Sequence, residues 1–199
     1  MHKKIVDYLN ENVAGCEATL IERDAGDTPI KVKPEKIYDV CKALKDPHQY
    51  DFNVLQVVSG VDYIEENPRI ELNYMLASFT QNTDIIIKVE LPRGDHKNLP
   101  EIDSVCDLWS AADWQERETY DLIGIKFKNH PDFRRILCPE DWQGHPLRKD
   151  YVVQEEFHGM KVNPPEKINT DDHLYGARLK KQMDDPKKIS ISWKVKDID

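Results

Sequence analysis

The sequence predicts an α+β fold: an antiparallel sheet meander packed by helices, followed by an extended C-terminal arm. Three strand-like runs follow one another closely between Val54 and Leu91. Segments of helical periodicity stand before and after them, which suggests helices on one face of the sheet. After Tyr151 the texture changes, and apolar residues become too thin to build a second core. The organisation therefore reads as an α+β domain over 1–151 and an arm over 152–199.

From Met1 to Val13, residues Ile5, Leu9 and Val13 share one helical face. A short strand is expected around Ala18 to Glu22, and Gly26-Asp27 with Pro29 mark a loop. Pro34 suits a first helical position. Ile37, Val40, Cys41 and Leu44 then give the stripe of a helix packed on a core, and Asp46-Pro47 ends it. The meander follows. Val54–Val61 is its first strand, Ile70–Phe79 its second, and Asp84–Leu91 its third, with a turn at Gln81-Asn82-Thr83. Gly94-Asp95 and Asn98 to Pro100 mark an exposed loop.

With 199 residues the chain can bury a substantial core. The net charge of −9 argues against nucleic acid and anionic membrane surfaces as direct partners. From Tyr151 onward nine basic and nine acidic residues balance, so the acidic excess lies in 1–150. No run approaches the length needed to span a bilayer. Asp7, Asn10 and Glu11 interrupt any signal-peptide core, so the expected place is the cytoplasm or the cytoplasmic side of a membrane. The cysteines, Cys16, Cys41, Cys106 and Cys138, form no CxxC pair, and the histidines are scattered singly. Reduced, buried thiols are the expectation, although distant cysteines could in principle assemble a cluster. Spacing supports no metal site. Neither a G-x-G-x-x-G nor a Walker loop is present, so no sequence means of holding NADH, FMN or ATP is seen.

Charge and aromatic rings are densest between Ser110 and Tyr151. Ser110 and Asp113 have the spacing of a capping box, so a helix should start there. Trp114, Arg117, Glu118 and Asp121 fall on one helical face, where Arg117 and Asp121 could pair at i,i+4. Gly124 is the natural left-handed terminator. Ile125 to Lys128 reads as a short strand and His130-Pro131-Asp132 as a turn. A solvated charged helix and loop would have this composition too. Trp114, Trp142 and Tyr151 among the charges favour a contact surface.

Glu116-Arg117-Glu118-Thr119-Tyr120-Asp121-Leu122-Ile123-Gly124, then His130-Pro131 and Arg134-Arg135-Ile136-Leu137, resembles the signature of the 30-kilodalton subunit of respiratory complex I, the NADH–quinone oxidoreductase of bacteria. His145-Pro146-Leu147-Arg148-Lys149-Asp150-Tyr151 looks like its continuation. Weaker likeness extends upstream through Val61-Asp62-Tyr63, Leu91-Pro92 and Ser104-Val105. The resemblance implies a non-catalytic peripheral-arm subunit of a proton-translocating translocase, bound to the 49-kilodalton subunit and to other peripheral-arm subunits. It implies that this chain carries no cofactor, while the parent complex passes electrons from NADH through FMN and Fe–S clusters to quinone. Localisation would be peripheral, on the cytoplasmic side of the bacterial inner membrane, through the complex.

On that reading the subunit-interface residues are Trp114, Glu116, Arg117, Glu118, Asp121, His130, Arg134, Arg135, Arg148, Lys149, Asp150, Tyr151 and Trp193. Arg134, Arg135 and Arg148 are expected to make ion pairs or carbonyl contacts at a subunit boundary, and Arg135→Lys to impair assembly while leaving the domain folded. Related subunits of membrane-bound hydrogenases, coenzyme-F420-linked dehydrogenases and ferredoxin–quinone oxidoreductases share the signature. An enzyme in its own right is the competing class. Glu116 and Glu118 point apart on a helix, however, and so make a poor acid–base pair. In the arm, Ile189, Ile191, Trp193 and Val195 alternate with polar residues, as a strand seeking a sheet edge would. Protease is expected to cut first between Glu155 and Lys188.

Overall fold

Helix α1 (His2–Asn12) buries Ile5 and Leu9, and helix α2 (Ile37–Lys45) buries Ile37, Val40, Cys41 and Leu44. These are the stripe positions of the sequence, and one sheet supplies the apolar cover for both. The computed structural model describes residues 2–23, 26–65, 67–95 and 98–162. Pro34 opens a single 3-10 turn, Pro34–Lys36, that runs directly into α2. Its fixed φ and missing N–H suit that position.

The sheet has five strands in the order β1-β2-β5-β4-β3. Strands β3 (Val54–Tyr63), β4 (Arg69–Ser78) and β5 (Thr83–Pro92) form the expected antiparallel meander. Strand β2 (Ile30–Val32) adds to β5 in parallel, and β1 (Thr19–Leu20) pairs antiparallel with β2. The meander is thus extended into a mixed sheet. A three-residue strand is too short to display an alternation, which is why β2 is not visible as one in the sequence.

Register fixes the core. Leu72 lies opposite Val89, Tyr74 opposite Ile87, and Leu76 opposite Ile85. All six are buried, together with Ile70, Leu91, Ile30 and Val32. Each such side chain contributes roughly 1.5–3 kcal/mol by leaving water. In β3 the register shifts between Leu55 and Val57, so Gln56 is an extra residue. Strict alternation from Leu55 would turn Val57 inward. The bulge turns Val58 inward instead and leaves Val57 exposed. On the opposite face Glu71 sits between Arg69 Nη2 at 2.9 Å and Lys88 Nζ at 2.5 Å. Burial opposes its ionisation, but Lys88 and Arg69 hold the carboxyl below the usual range.

The second layer brings the charged helix to the sheet. Strands β6 (Glu101–Asp103) and β7 (Lys126–Lys128) pair in parallel, and α3 (Ala112–Ile123) is the crossover between them. Helix α3 packs on β3, the edge strand. A Cβ at Gly60 would stand 3.2 Å from Thr119 Cγ2 and 3.3 Å from Ile123 Cγ1, so the missing side chain permits the approach. The Gln115 carboxamide accepts the Val58 N–H at 2.6 Å and donates to the Gln56 carbonyl at 3.3 Å. It thus takes the place of a neighbouring strand on an edge that would otherwise stand unpaired.

Chain contacts divide the molecule into Met1–Val152 and Val153–Asp199. Within the second unit, β8 (Glu156–Phe157) and β9 (Met160–Lys161) form a hairpin. Its two loop residues, His158 and Gly159, have φ of 50° and 75°, the left-handed pair of a type I′ turn. The strand expected around Ile189 to Val195 lies outside the described residues.

Candidate functional site

Helix α3 does not begin as its sequence suggests. Its N-cap is Ala111, in helical conformation and with no side-chain cap. Ser110 contributes only its carbonyl, which accepts the Asp113 N–H at 3.3 Å. The Asp113 carboxylate lies 2.8 Å from Arg117 Nε, so the side chain read as a cap partner is an ion-pair partner. Arg117 also reaches Asp132 at 3.2 Å and lays its guanidinium over the Trp114 ring, 4.4 Å from the centroid. The expected Arg117–Asp121 pair is not formed.

Asp121 turns instead to the chain beyond β7. One of its oxygens accepts three successive backbone N–H groups, from Ile136 at 3.1 Å, Leu137 at 2.7 Å and Cys138 at 2.8 Å. Its other oxygen accepts Arg135 Nη1 at 2.6 Å. Burial works against the charge, yet these N–H groups and Arg135 hold the carboxyl below the usual carboxylate range. The energies explain the choice. A solvated i,i+4 pair is worth about 0.3–0.5 kcal/mol, whereas charge-assisted hydrogen bonds in a dry site are worth about 1.5–3 kcal/mol each.

The other end of α3 accounts for the second half of the signature. A helix leaves its last four carbonyls without partners. Gly124 takes the left-handed conformation, φ 80° and ψ 59°, and returns its N–H to Thr119 and Tyr120. His145 Nδ1 then donates to the Asp121 carbonyl at 3.0 Å, and the Leu147 N–H to Leu122 at 2.9 Å. Arg148 donates to Ile123 at 2.8 Å, to Gly124 at 3.2 Å and to Gly94 at 3.3 Å. His145-Pro146-Leu147-Arg148 is a C-terminal cap built from a distant segment. The next residues tie that segment to the sheet: Asp62 of β3 accepts the Lys149 N–H at 2.8 Å and a two-point contact from Arg93 at 2.6 and 2.8 Å. Arg93 also reaches Asp150 at 2.5 Å. Trp142 donates its indole N–H to the Tyr151 hydroxyl at 3.1 Å.

Glu116 faces inward and is fully buried. It accepts the Ser104 hydroxyl at 2.6 Å, the Val105 N–H at 2.8 Å and the Cys106 thiol at 3.3 Å. Burial pushes its carboxyl up to about 7, against the lowering effect of these donors. Cys106, Glu116 and His130 bring their potential ligand atoms within 4.8 Å of one another, a grouping that sequence spacing could not reveal. It does not make a good cation site. His130 Nδ1 accepts the Asp132 N–H at 3.1 Å, so Nε2 carries the proton and donates to the Asp113 carbonyl at 3.2 Å. A metal on Nε2 would require a proton on Nδ1, facing another donor.

The residues singled out by sequence therefore separate into two groups. Glu116, Arg117, Asp121 and Arg148 are buried. The ion-pair and carbonyl contacts expected of Arg135 and Arg148 at a subunit boundary are made inside this chain. Trp114 and Glu118 face solvent, as does Arg134, which pairs with the exposed Asp132 at 3.0 Å. Lys149 and Asp150 are exposed and Tyr151 is half-buried, while Trp193 lies outside the described residues. Sequence reasoning misses Arg93 and Gly60 as residues of the site, and it meets Asp62 and Ser104 only in the weak upstream likeness, with no role assigned. All four lie outside the helix signature in sequence. Exposed apolar side chains border the site: Leu137 at 60 % and Leu147 at 57 %, beside Trp114 at 63 %.

The family model of the respiratory-chain NADH dehydrogenase 30-kilodalton subunit matches residues 30–157. An NADH-quinone oxidoreductase subunit of Roseiflexus sp. (strain RS-1) is 46% identical over 131 residues, 66% of this chain and 73% of that protein. Its counterpart in Geotalea uraniireducens (strain Rf4) is 44% identical over 129 residues, 65% of this chain and 75% of that protein. Among solved structures, a chain of the membrane-bound sulfane sulfur reductase, an archaeal respiratory membrane complex, superposes with a TM-score of 0.62 at 25% identity. That match covers 76% of this chain and 86% of the other. A trypsin-resistant fragment of Nqo5 superposes with a TM-score of 0.52 at 26% identity, covering 64% of this chain and 98% of the fragment. The chain belongs to the family of 30-kilodalton subunits of respiratory-chain NADH dehydrogenase.

Proposed function

We propose that this chain is a non-catalytic peripheral-arm subunit of an NADH–quinone oxidoreductase, where it binds the 49-kilodalton subunit and helps hold the electron path from NADH through FMN and Fe–S clusters to quinone. The carrying observation is the use of the signature's buried polar groups. Asp121, Arg148 and His145 are consumed in joining α3 to the segments around it. Such groups build a rigid face rather than act on a small molecule. Trp114 is exposed, and tryptophan is among the residues enriched at interface hot spots; Leu137 and Leu147 add exposed apolar surface. Among the described residues the one grouping of metal-ligating side chains is Cys106, Glu116 and His130, which does not unite the four cysteines. In this reading the Fe–S clusters belong to other subunits of the complex. Its membrane association is peripheral, through the complex on the cytoplasmic side. Among the described residues no helix is long and apolar enough to cross a membrane.

A second reading is an equivalent subunit in a related membrane complex that is not fed by NADH, such as a membrane-bound hydrogenase. The 0.62 superposition on an archaeal respiratory complex favours it. One experiment separates the two. Tagged chain, purified from its own cells in mild detergent, should bring down the 49-kilodalton subunit and the NADH-oxidising module. Hydrogenase or ferredoxin-linked partners would select the second reading, and a chain that purifies alone would refute both.

Trp114→Ala tests the surface. Interface tryptophans of this kind cost about 2 kcal/mol or more on truncation, so recovery of the complex should fall at least tenfold. The isolated chain should lose stability only slightly, by roughly 0.5 kcal/mol. Undiminished recovery would remove Trp114 from the interface.

A further inference from the structure

Four carboxylates are buried among the described residues: Asp62, Glu71, Glu116 and Asp121. Three have a Lys or Arg partner close by. Arg93 lies 2.6 Å from Asp62, Lys88 2.5 Å from Glu71, and Arg135 2.6 Å from Asp121. Glu116 differs. Its nearest basic nitrogen is His130 Nε2 at 4.0 Å, and that nitrogen points its proton at the Asp113 carbonyl. A buried charge without a counter-charge is costly, and the usual outcome is neutralisation by a proton.

The surroundings agree from every side. On its own helix Glu116 faces Asp113, a further negative charge. The link after β6 presents Ser104 and Cys106, and the Cys106 thiol is itself pushed up to about 12, chiefly by burial and partly by Glu116. Helix α2 contributes Cys41, and β4 contributes Tyr74. Burial raises both pKa values, and the Glu116 charge raises them further. The Tyr74 hydroxyl is buried with no hydrogen-bond partner. Across the gap stands His130, whose Nδ1 accepts the Asp132 N–H and whose Nε2 is directed at the Asp113 carbonyl. None of these neighbours supplies a fixed positive charge.

We propose that Glu116 is a reversible proton-binding switch at the joint between α3, the Ser104–Cys106 link and His130: protonated it closes the joint, and ionised it loosens it. The protonated acid donates to the Ser104 oxygen across the same 2.6 Å contact, because a hydroxyl can reverse its role. Ser104 Oγ, which already accepts the Cys106 N–H at 3.2 Å, then accepts a second bond while its own proton rotates away from the acid, and no buried charge remains. When the proton leaves, the carboxylate keeps its donors but has no cation. The inference goes beyond subunit binding and does not depend on it.

The stability consequence has a definite sign. A carboxyl raised from its ordinary value of 4.5 to about 7 stabilises the fold fully below the lower value, and this contribution is lost as pH rises through the upper one. Asp62, Glu71 and Asp121 are held low and act oppositely, losing their contribution only in acid below their ordinary values of 3.8 to 4.5. The two windows do not overlap, so a fall in stability between mildly acidic and neutral pH that disappears in Glu116→Gln isolates Glu116 from the other carboxylates and from the histidines, which titrate in the same range.

The test uses the full chain and two readouts from about pH 5 to about pH 9, which brackets ordinary and raised carboxyl values. Carbon-13 NMR of glutamate carboxyls should show one group titrating near neutrality, absent in Glu116→Gln. The thermal midpoint of wild type should fall across the same window, and that of Glu116→Gln should not. Should Glu116→Gln fail to fold, Ser104→Ala supplies the assignment. Loss of that hydroxyl removes a donor to the carboxylate and should move the titration to higher pH. The proposal is overturned if every glutamate carboxyl has ionised by about pH 5.5, if the near-neutral titration ignores Ser104→Ala, or if one equivalent of zinc displaces the proton.

Discussion

Asp121→Asn should be among the most destabilising single changes in this chain, lowering its thermal midpoint by roughly 10 °C, from a loss of about 3–5 kcal/mol. The carboxylate is fully buried and satisfies four donors at once: three backbone N–H groups of Ile136 to Cys138 and one guanidinium. Asparagine keeps the volume but not the acceptors. Its amide must turn an N–H₂ toward either the three backbone donors or Arg135. In both orientations a largely buried donor is left facing another donor, and Arg135 loses its counter-charge. Arg135→Lys should cost less, about 1–2 kcal/mol. A lysine retains the charge but cannot span Asp121 Oδ1 at 2.6 Å and the Gly144 carbonyl at 2.9 Å together. The double variant should cost clearly less than the sum of the two, because the residues share one contact. Denaturation of the purified full chain measures all three. An Asp121→Asn protein within about 0.5 kcal/mol of wild type would show that the 136–138 segment holds its conformation without the carboxylate.

The same residue shows what was legible in the sequence. Helix α2 and the meander could be read because their apolar residues recur at short, fixed intervals, and Ile37, Val40, Cys41 and Leu44 are all buried as that interval requires. The end of α3 could be read because Gly124 is suited to one conformation and adopts it. The Arg117–Asp121 pair was misread because local spacing offers partners worth a few tenths of a kcal/mol, and Asp121 found better ones 14 to 17 residues away. At the start of α3, Asp113 took a different local partner, Arg117 at i,i+4, and Ser110 makes no side-chain cap. The strands β2 and β6 were invisible because each has three residues and directly follows a stretch marked as loop by Gly, Asn and Pro; β7, equally short, could be read because Ile125 extends its alternation. The family resemblance rests on the stretch around α3, and the family match spans residues 30–157. It could not distinguish residues that face a partner from residues that hold the stretch together, since both kinds are polar and both belong to the signature.

Gly124→Ala should cost about 3–4 kcal/mol, of which only part is the backbone. A left-handed residue with a side chain is disfavoured by roughly 1–2 kcal/mol. The remainder is steric. A Cβ at Gly124 would sit 2.5 Å from His145 Cδ2 and 2.7 Å from Nε2. The imidazole is itself buried and donates to the Asp121 carbonyl, so it cannot swing away without uncapping α3. Displacing it would also strain Leu147 and Arg148, which cap the next carbonyls from the same segment. Gly15 provides the control within the same molecule. Its φ of 77° nearly equals the 80° of Gly124, but nothing lies within 4 Å of its would-be Cβ. Gly15→Ala should therefore show the backbone cost alone, about 1–2 kcal/mol. The difference between the two variants, read from denaturant midpoints at constant slope, measures how rigidly His145 is held. Removing the ring in a Gly124→Ala/His145→Ala double variant should recover the steric part and forfeit the hydrogen bond, leaving a net loss near that of His145→Ala plus the backbone term. Equal costs for Gly124→Ala and Gly15→Ala would mean that the ring yields freely, and the 145–148 segment would then be a loose neighbour of α3 rather than its cap.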